Sequence, residues 1–273
     1  MSDRVTLSVT GGIADVRLNR PDKRNALDPA MFAGIVEMGE RLKTEPGVRA
    51  VVLSGEGASF CAGLDFSSFR AMGDSPREAD AGEPEQRSTD DGLNGRITHQ
   101  GQQCAWVWQE VPAPVIAAVH GHALGGGIQI MLGADIRVVH PDTKISVREV
   151  HWGLVPDMTG TLTLSRLVGV DVAKELTFTA KMISGAEAAE IGLATHLSDN
   201  PRADAMALAA EIASRSPEAV RGAKQLFNRL ANADAAEQFA AERQVIGSLF
   251  STPNQVEAIK AGMDGRDADF ADV

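Results

Sequence analysis

Hydrophobic and polar positions alternate in the first stretch of the chain and then take up a helical period. Residues 5–18, VTLSVTGGIADVRL, alternate about Gly11-Gly12, which predicts two short strands joined by a tight turn. Asp28 and Pro29 then open a helix to Lys43, because Met31, Phe32, Ile35, Met38 and Leu42 recur at helical spacing. VRAVVL at 48–53 is a strand apolar enough for burial on both faces. The pattern predicts a helix from Ile97 to Glu110, stopped by Pro112 and Pro114, and a buried strand VIAAV at 115–119. A short apolar helix over 126–134 and a strand from Ile136 to Val139 follow, then an irregular run over 145–160. Short helices are predicted at Thr161–Leu167, Val172–Thr177 and 184–192, with a short strand at Leu193–Leu197. From Pro201 the period is helical throughout, over 201–214, 217–230, 234–249 and 253–262.

This layout predicts an α/β core over residues 1–200 and a helical module over 201–273, and no periodic repeat marks units within the core. One segment breaks the pattern. Residues 70–95 are polar and rich in turn formers, which predicts a surface excursion or a lid over a ligand.

Composition narrows the class. Apolar residues make up 44% and charged residues 23%, an ordinary globular mixture. The net charge of −11 argues against a general nucleic-acid binder, which needs a positive face. No apolar run is long enough to span a membrane, and MSDRVTLSVT lacks the apolar core of a signal peptide. A cytoplasmic location is therefore the expectation. Cys61 and Cys104 form no Cys-x-x-Cys pair, and His120 and His122 lack the H-E-x-x-H pattern. They are taken as loop histidines making local hydrogen bonds, and no metal site is expected.

The candidate chemistry lies in three segments: Ser59–Asp65 (SFCAGLD), His120–Gln129 (HGHALGGGIQ) and Arg148–Asp157 (REVHWGLVPD). Gly125, Gly126 and Gly127 let backbone approach a ligand closely, and the first amides of the helix that follows are unpaired. A carbonyl oxygen placed there is polarised, and a second amide near Leu64 would complete an oxyanion hole. The alternative is that these glycines only permit close helix packing. Asp65, Asp135 and Arg137 are first taken as structural, with Asp65 bracing its loop and Asp135 pairing with Arg137 or a backbone amide.

Taken in order, LNRPDKRNAL, SFCAGLD, GHALGGGIQI and REVHWGLVPDMTG resemble the crotonase superfamily, the enoyl-CoA hydratase/isomerase family, from about residue 5 to 262. The resemblance implies a crotonase-like (ClpP/crotonase) fold of repeated strand-strand-helix units, assembled as a homotrimer or a dimer of trimers. It implies an acyl-CoA substrate, as in fatty-acid metabolism, and no cofactor beyond the coenzyme A of that substrate. It places Leu64 and Gly126 in an oxyanion hole for the thioester, and Lys23, Arg24 and Ala62 to Asp65 where coenzyme A binds. Trp152 and Leu154 would supply apolar surroundings.

The catalytic positions depart from the hydratase pattern. Hydratases carry a glutamate two residues after the glycine triplet and another twenty residues later. The first is Gln129 here, which does not titrate, and the second is Glu149. Gln129 is expected to orient a water or a polar substrate group. Asp157, eight residues after Glu149, matches an aspartate of the dienoyl-CoA isomerases, although their further aspartate is again Gln129. Glu149 and Asp157 are thus the expected catalytic pair, and double-bond isomerisation is favoured. The alternatives are hydration by Glu149 alone, another thioester reaction such as hydrolysis or decarboxylation, and a non-catalytic CoA-binding scaffold.

Overall fold

A computed structural model describes residues 3–67, 95–232 and 234–269 of the 273-residue chain. Most of the proposed lid at 70–95 lies outside the described residues. The strands are β1 (Val5–Thr10), β2 (Ile13–Leu18), β3 (Ala50–Gly55), β4 (Val115–Val119), β5 (His122–Leu124), β6 (Ile136–Val139), β7 (Lys144–Ser146) and β8 (His196–Leu197). The helices that lie wholly among the described residues up to residue 190 are α1 (Pro29–Leu42), α2 (Gln100–Glu110), α3 (Gly126–Gly133), α4 (Gly160–Val168), α5 (Val170–Thr179) and α6 (Gly185–Glu190). Four more follow: α7 (Pro201–Ala213), α8 (Pro217–Ala231), α9 (Ala235–Leu249) and α10 (Pro253–Asp264). None is long and apolar enough to cross a membrane.

The main sheet has the order β1-β2-β3-β4-β6-β8. The β1–β2 hairpin is antiparallel and every other pair is parallel. β5 and β7 form a separate parallel ribbon beside the end of β4. The runs β1-β2-α1, β4-β5-α3 and β6-β7-α4 give the strand-strand-helix rhythm, the last with a 3-10 turn at Glu149–Trp152 between its strand and helix.

Central strands are buried on both faces, which is why they read as unbroken apolar runs. In β3, Val51 and Leu53 join the larger core with Ile35, Val107 and Trp108, whereas Ala50 and Val52 face Ala205 and Ala209 of α7. Small side chains on α7 let it lie close against the second face of the sheet. The segment after residue 201 is helical, but it shares its cores with the rest. α9 contributes Phe239 to a cluster with Trp106 and Leu162, and Ile246 to one with Leu154.

Several boundaries differ from expectation for local reasons. β3 starts at Ala50 rather than Val48, because its pairing with β2 begins at Ile13 and extends to Gly55. α2 begins three residues after Ile97, since His99 caps it: the His99 Nδ1 accepts from the Gln102 N–H at 3.0 Å. β5 escaped the pattern because three residues inside a glycine turn carry no usable period. Asp135 pairs with Lys224 of α8 (2.7 Å) and accepts from the Val115 N–H (2.7 Å), while Arg137 donates to the Leu193 and Ala134 carbonyls. Both cysteines are fully buried free thiols, and burial pushes Cys61 up to about 12.

Candidate active site

The first and second glycine-rich loops lie side by side. The N–H groups of Phe60 and Cys61 donate to the carbonyls of His120 and His122 (2.8 and 2.9 Å), and the Leu124 N–H donates back to Cys61 (3.1 Å). Two glycines make this approach possible. A Cβ on Gly63, whose φ is +86°, would sit 2.6 Å from the Leu124 carbonyl oxygen. One on Gly127 would sit 2.4 Å from that of Cys61. Bonds from Leu27 N–H to Gly63 and from Asp65 N–H to Leu27 fix the backbone on either side of Leu64 (2.8 and 3.1 Å). The N–H groups of Leu64 and Gly126 have no acceptor among the described residues, and both residues line the same cleft.

That cleft has a volume of about 590 Å³. Lys23 and Arg24 stand at its wall, on a turn where Arg24 and Asn25 both take left-handed backbone (φ 50° and 57°). Buried Asn25 holds the turn. Its Nδ2 donates to the Glu56 and Ser59 carbonyls (3.0 and 2.7 Å), and its Oδ1 accepts from the Arg20 N–H (2.8 Å). Asp65 accepts from the Ser67 N–H and hydroxyl and from the Arg20 guanidinium (2.6 Å). These bonds, led by Ser67, hold its carboxyl at about 2. His120 and His122 make local bonds, to the Gly57 carbonyl and to the Ser59 hydroxyl. Half-buried Trp152 packs edge-on against Phe66, with ring centroids 6.0 Å apart.

Two carboxyl groups face this space. Glu149 is buried in the 3-10 turn after β7, and its Oε1 accepts from Gln129 Nε2 at 2.6 Å. Its Oε2 has no hydrogen-bond partner among the described residues. Burial pushes the Glu149 carboxyl up to about 7. Asp157 also rises to about 7, from burial first and then from the negative charges of Glu149 and Glu242. Such a pair retains a proton near neutrality and shares it in two coupled steps.

The chain resembles known proteins along nearly its whole length. The family model described as Enoyl-CoA hydratase/isomerase matches residues 8–273. The chain belongs to the enoyl-CoA hydratase/isomerase family. It is 31% identical over 261 residues to the mitochondrial Delta(3,5)-Delta(2,4)-dienoyl-CoA isomerase of Mus musculus, covering 93% of this chain and 77% of that protein. It is 34% identical over 267 residues to a short-chain-enoyl-CoA hydratase of Clostridium acetobutylicum, covering 97% and 96%. The crystal structure of an enoyl-CoA hydratase/isomerase from Mycobacterium paratuberculosis superposes with a TM-score of 0.82 at 26% identity, covering 95% of this chain and 98% of that one. The fold is thus that of the crotonase superfamily, and the chain is an enzyme of this family.

Lys23, Arg24, Ala62, Leu64, Asp65, Gly126, Glu149, Trp152 and Asp157 all line the cleft. Gln129 does not. It is 1% exposed, and its Oε1 accepts from the Met158 and Gly160 N–H groups (2.9 and 3.0 Å) while its Nε2 reaches Glu149. The expected contact of Gln129 with water or substrate is therefore replaced by a contact behind the cleft wall. A Cβ on Gly160 would come within 2.5 Å of that Oε1, so a side chain there would force Gln129 to shift. Sequence reasoning missed Asn25, and it missed Ile246 and Phe250, which reach the cleft from α9 and the residue after it. Phe239, Ile246 and Phe250 recur at roughly helical spacing, but nothing local distinguishes a core-facing apolar stripe from one that faces a cleft.

Proposed function

We propose that the enzyme moves a carbon–carbon double bond within an acyl-CoA thioester. The observation that carries this reading is the direct 2.6 Å bond between Gln129 and Glu149. A water bridging two such groups needs them about 5 Å apart. A direct bond leaves no room for a water held between residues 129 and 149, while Glu149, whose Oε2 is buried without a hydrogen-bond partner among the described residues, and Asp157 both line the cleft.

The thioester oxygen accepts from the N–H groups of Leu64 and Gly126. Charge that develops on it as a C–H bond breaks meets fixed donors, which is where such donors contribute most. One member of the Glu149–Asp157 pair, as carboxylate, takes the proton from C2. The electron pair delocalises into the thioester and the adjacent double bond. The other member, as carboxylic acid, returns a proton at the far end of the conjugated system. No net proton is gained or lost, and a pair with both groups near 7 supplies one base and one acid at neutral pH. Lys23 and Arg24 contact the coenzyme A phosphates, and the reaction uses no further cofactor.

The test is a panel of 3-enoyl, 3,5-dienoyl and 2-enoyl thioesters in ¹⁸O-labelled water. Conversion of the first two without ¹⁸O uptake is expected. Rapid formation of labelled 3-hydroxyacyl-CoA from the 2-enoyl thioester would replace this reading with hydration, which the similarity to the Clostridium acetobutylicum hydratase favours. Binding of coenzyme A without turnover across the panel would favour a scaffold. We also propose that the chain assembles as a homotrimer or a dimer of trimers. On α8, Leu226, Phe227 and Leu230 are 70–82% exposed, apolar side chains suited to contact between copies. Sedimentation of a monomer at micromolar concentration would overturn that assembly.

A further inference from the structure

The loop that carries Asp157 is held by side chains from two distant elements. Gln129 of α3 accepts from the Met158 and Gly160 N–H groups. The N–H between them, that of Thr159, donates to Glu242 Oε2 of α9 at 3.0 Å. Three successive amides after Asp157 are therefore each accepted by a side chain. Thr159 takes left-handed backbone (φ 69°), which a β-branched residue seldom adopts unless its surroundings enforce it. Its own hydroxyl makes no cap bond to α4, and the side-chain acceptors at this helix start are Gln129, for the Gly160 N–H, and Glu242, for the Thr159 N–H and the Thr161 hydroxyl.

Glu242 is itself tightly arranged. It is 4% exposed, and burial pushes its carboxyl upward. Its Oε1 accepts from the Thr161 hydroxyl at 2.5 Å, and its Oε2 accepts a second bond from Gln102 Nε2 at 3.1 Å. Gln102 in turn donates to the Phe239 carbonyl and accepts from Arg243. The charged and titratable groups about this cluster are Asp157 on the loop, Glu149 beyond it, and His99 and Arg243, which bond to Gln102. A buried carboxylate at the start of α4 also meets the positive end of that helix. Removing one partner of such a network leaves unsatisfied groups in its place.

We propose that Glu242 is a positioning residue, which anchors the Asp157–Thr161 loop from α9 so that the Asp157 carboxyl is held facing the cleft. The inference rests on the proton-transfer reading above for its kinetic consequence, but not for its structural one. A displacement of about 1 Å in a catalytic group can cost on the order of a hundredfold in rate, so the anchor has leverage on turnover without touching substrate.

The test compares Glu242→Met, which keeps volume and removes the acceptor, with Glu242→Gln, which keeps an acceptor for the Thr159 N–H. Hydrogen exchange of the peptide spanning residues 157–161 is read by mass spectrometry, alongside kcat and KM for the thioester that the wild type turns over. In Glu242→Met, exchange in this peptide is expected to rise at least about tenfold and kcat to fall at least about tenfold, with KM within about threefold. Glu242→Gln is expected to restore most of both losses. Equal behaviour of the two variants overturns the proposal, as does unchanged exchange at 157–161. If Glu242→Met does not fold, Glu242→Ala, which admits water to the Thr159 N–H, makes the same comparison. Failure of the wild type to turn over any thioester would count against the proposed reaction alone, and the exchange comparison would still decide this anchor.

Discussion

Gln129 Nε2 lies 2.6 Å from Glu149 Oε1, and this contact leaves Glu149 Oε2 as the oxygen free to receive a proton. A carboxamide can make this bond in either protonation state of Glu149, whereas a carboxylate in its place could do so only through a shared proton. Gln129→Glu therefore puts two carboxyls within hydrogen-bond distance. The pair holds one proton over a wider range, so the ascending limb of kcat/KM should move about one pH unit higher. Once both ionise, repulsion opens room for water, and hydration of a 2-enoyl thioester should rise at least about tenfold. An unchanged pH profile with an unchanged product ratio would remove Gln129 from the determinants of the reaction.

Glu149→Gln and Asp157→Asn should each lower kcat by roughly 10²–10⁴, the usual contribution of a positioned acid or base. The wild-type kcat/KM profile should be bell-shaped with its maximum near pH 7, since both carboxyls lie near that value. Either variant should flatten one limb. A profile level from pH 5 to 9 would show that neither group titrates in the rate-limiting proton transfer.

The same carboxyl predicts a stability change. Glu149 is held near 7 when folded and near its ordinary value of 4.5 when unfolded. Between those values the folded state keeps a proton that the unfolded chain has released. Stability is therefore lost as pH rises from about 4.5 to 7, and stays lower above it. Glu149→Gln escapes this loss, so it should raise Tm by roughly 5 °C at pH 8 and much less at pH 5. Thermal melts at both values check the sign.

The glycine triplet contains positions of unequal tolerance. At Gly127 an added Cβ meets the Cys61 backbone oxygen at 2.4 Å, which cannot move without separating the two loops. At Gly126 it meets Leu27 Cδ1 and Met158 Sδ, at the flexible ends of side chains. Gly127→Ala should cost about 2–3 kcal/mol in denaturant unfolding, and Gly126→Ala less than about half of that. Equal costs would show that the loops are not packed as described.

Lys23→Ala combined with Arg24→Ala should raise KM for a full coenzyme A thioester at least about tenfold. It should leave KM for the corresponding pantetheine thioester, which lacks the nucleotide phosphates, within about twofold. Equal effects on both thioesters would place the phosphates elsewhere.

Much of this was legible in the sequence because it rests on backbone demands. Alternation about Gly11-Gly12, the valine-rich run in β3 and VIAAV in β4 announce strands through burial alone. Gly63 and Gly125–Gly127 announce a close approach of main chains, and Glu149 and Asp157 are acids in an otherwise apolar neighbourhood. The direction of Gln129 was not legible. Whether its amide faces the cleft or the Asp157 loop is decided by amides at Met158 and Gly160, about thirty residues away in sequence. Nor did any local signal tie α9 to the site, because Glu242 sits among alanines, Glu237, glutamines and Arg243, which look like an ordinary solvated face.

The two thiols have a practical consequence. Cys61 is sealed between the glycine loops and donates to the Asn25 carbonyl at 3.2 Å, and burial pushes Cys104 upward as well. Thiolate is the form that reacts with maleimides and oxidants, so neither side chain offers it while the chain is folded. The native protein should already serve as a silent background for labelling. A single cysteine introduced at an exposed position such as Phe66 would carry a fluorophore to the rim of the cleft, with both native thiols left in place.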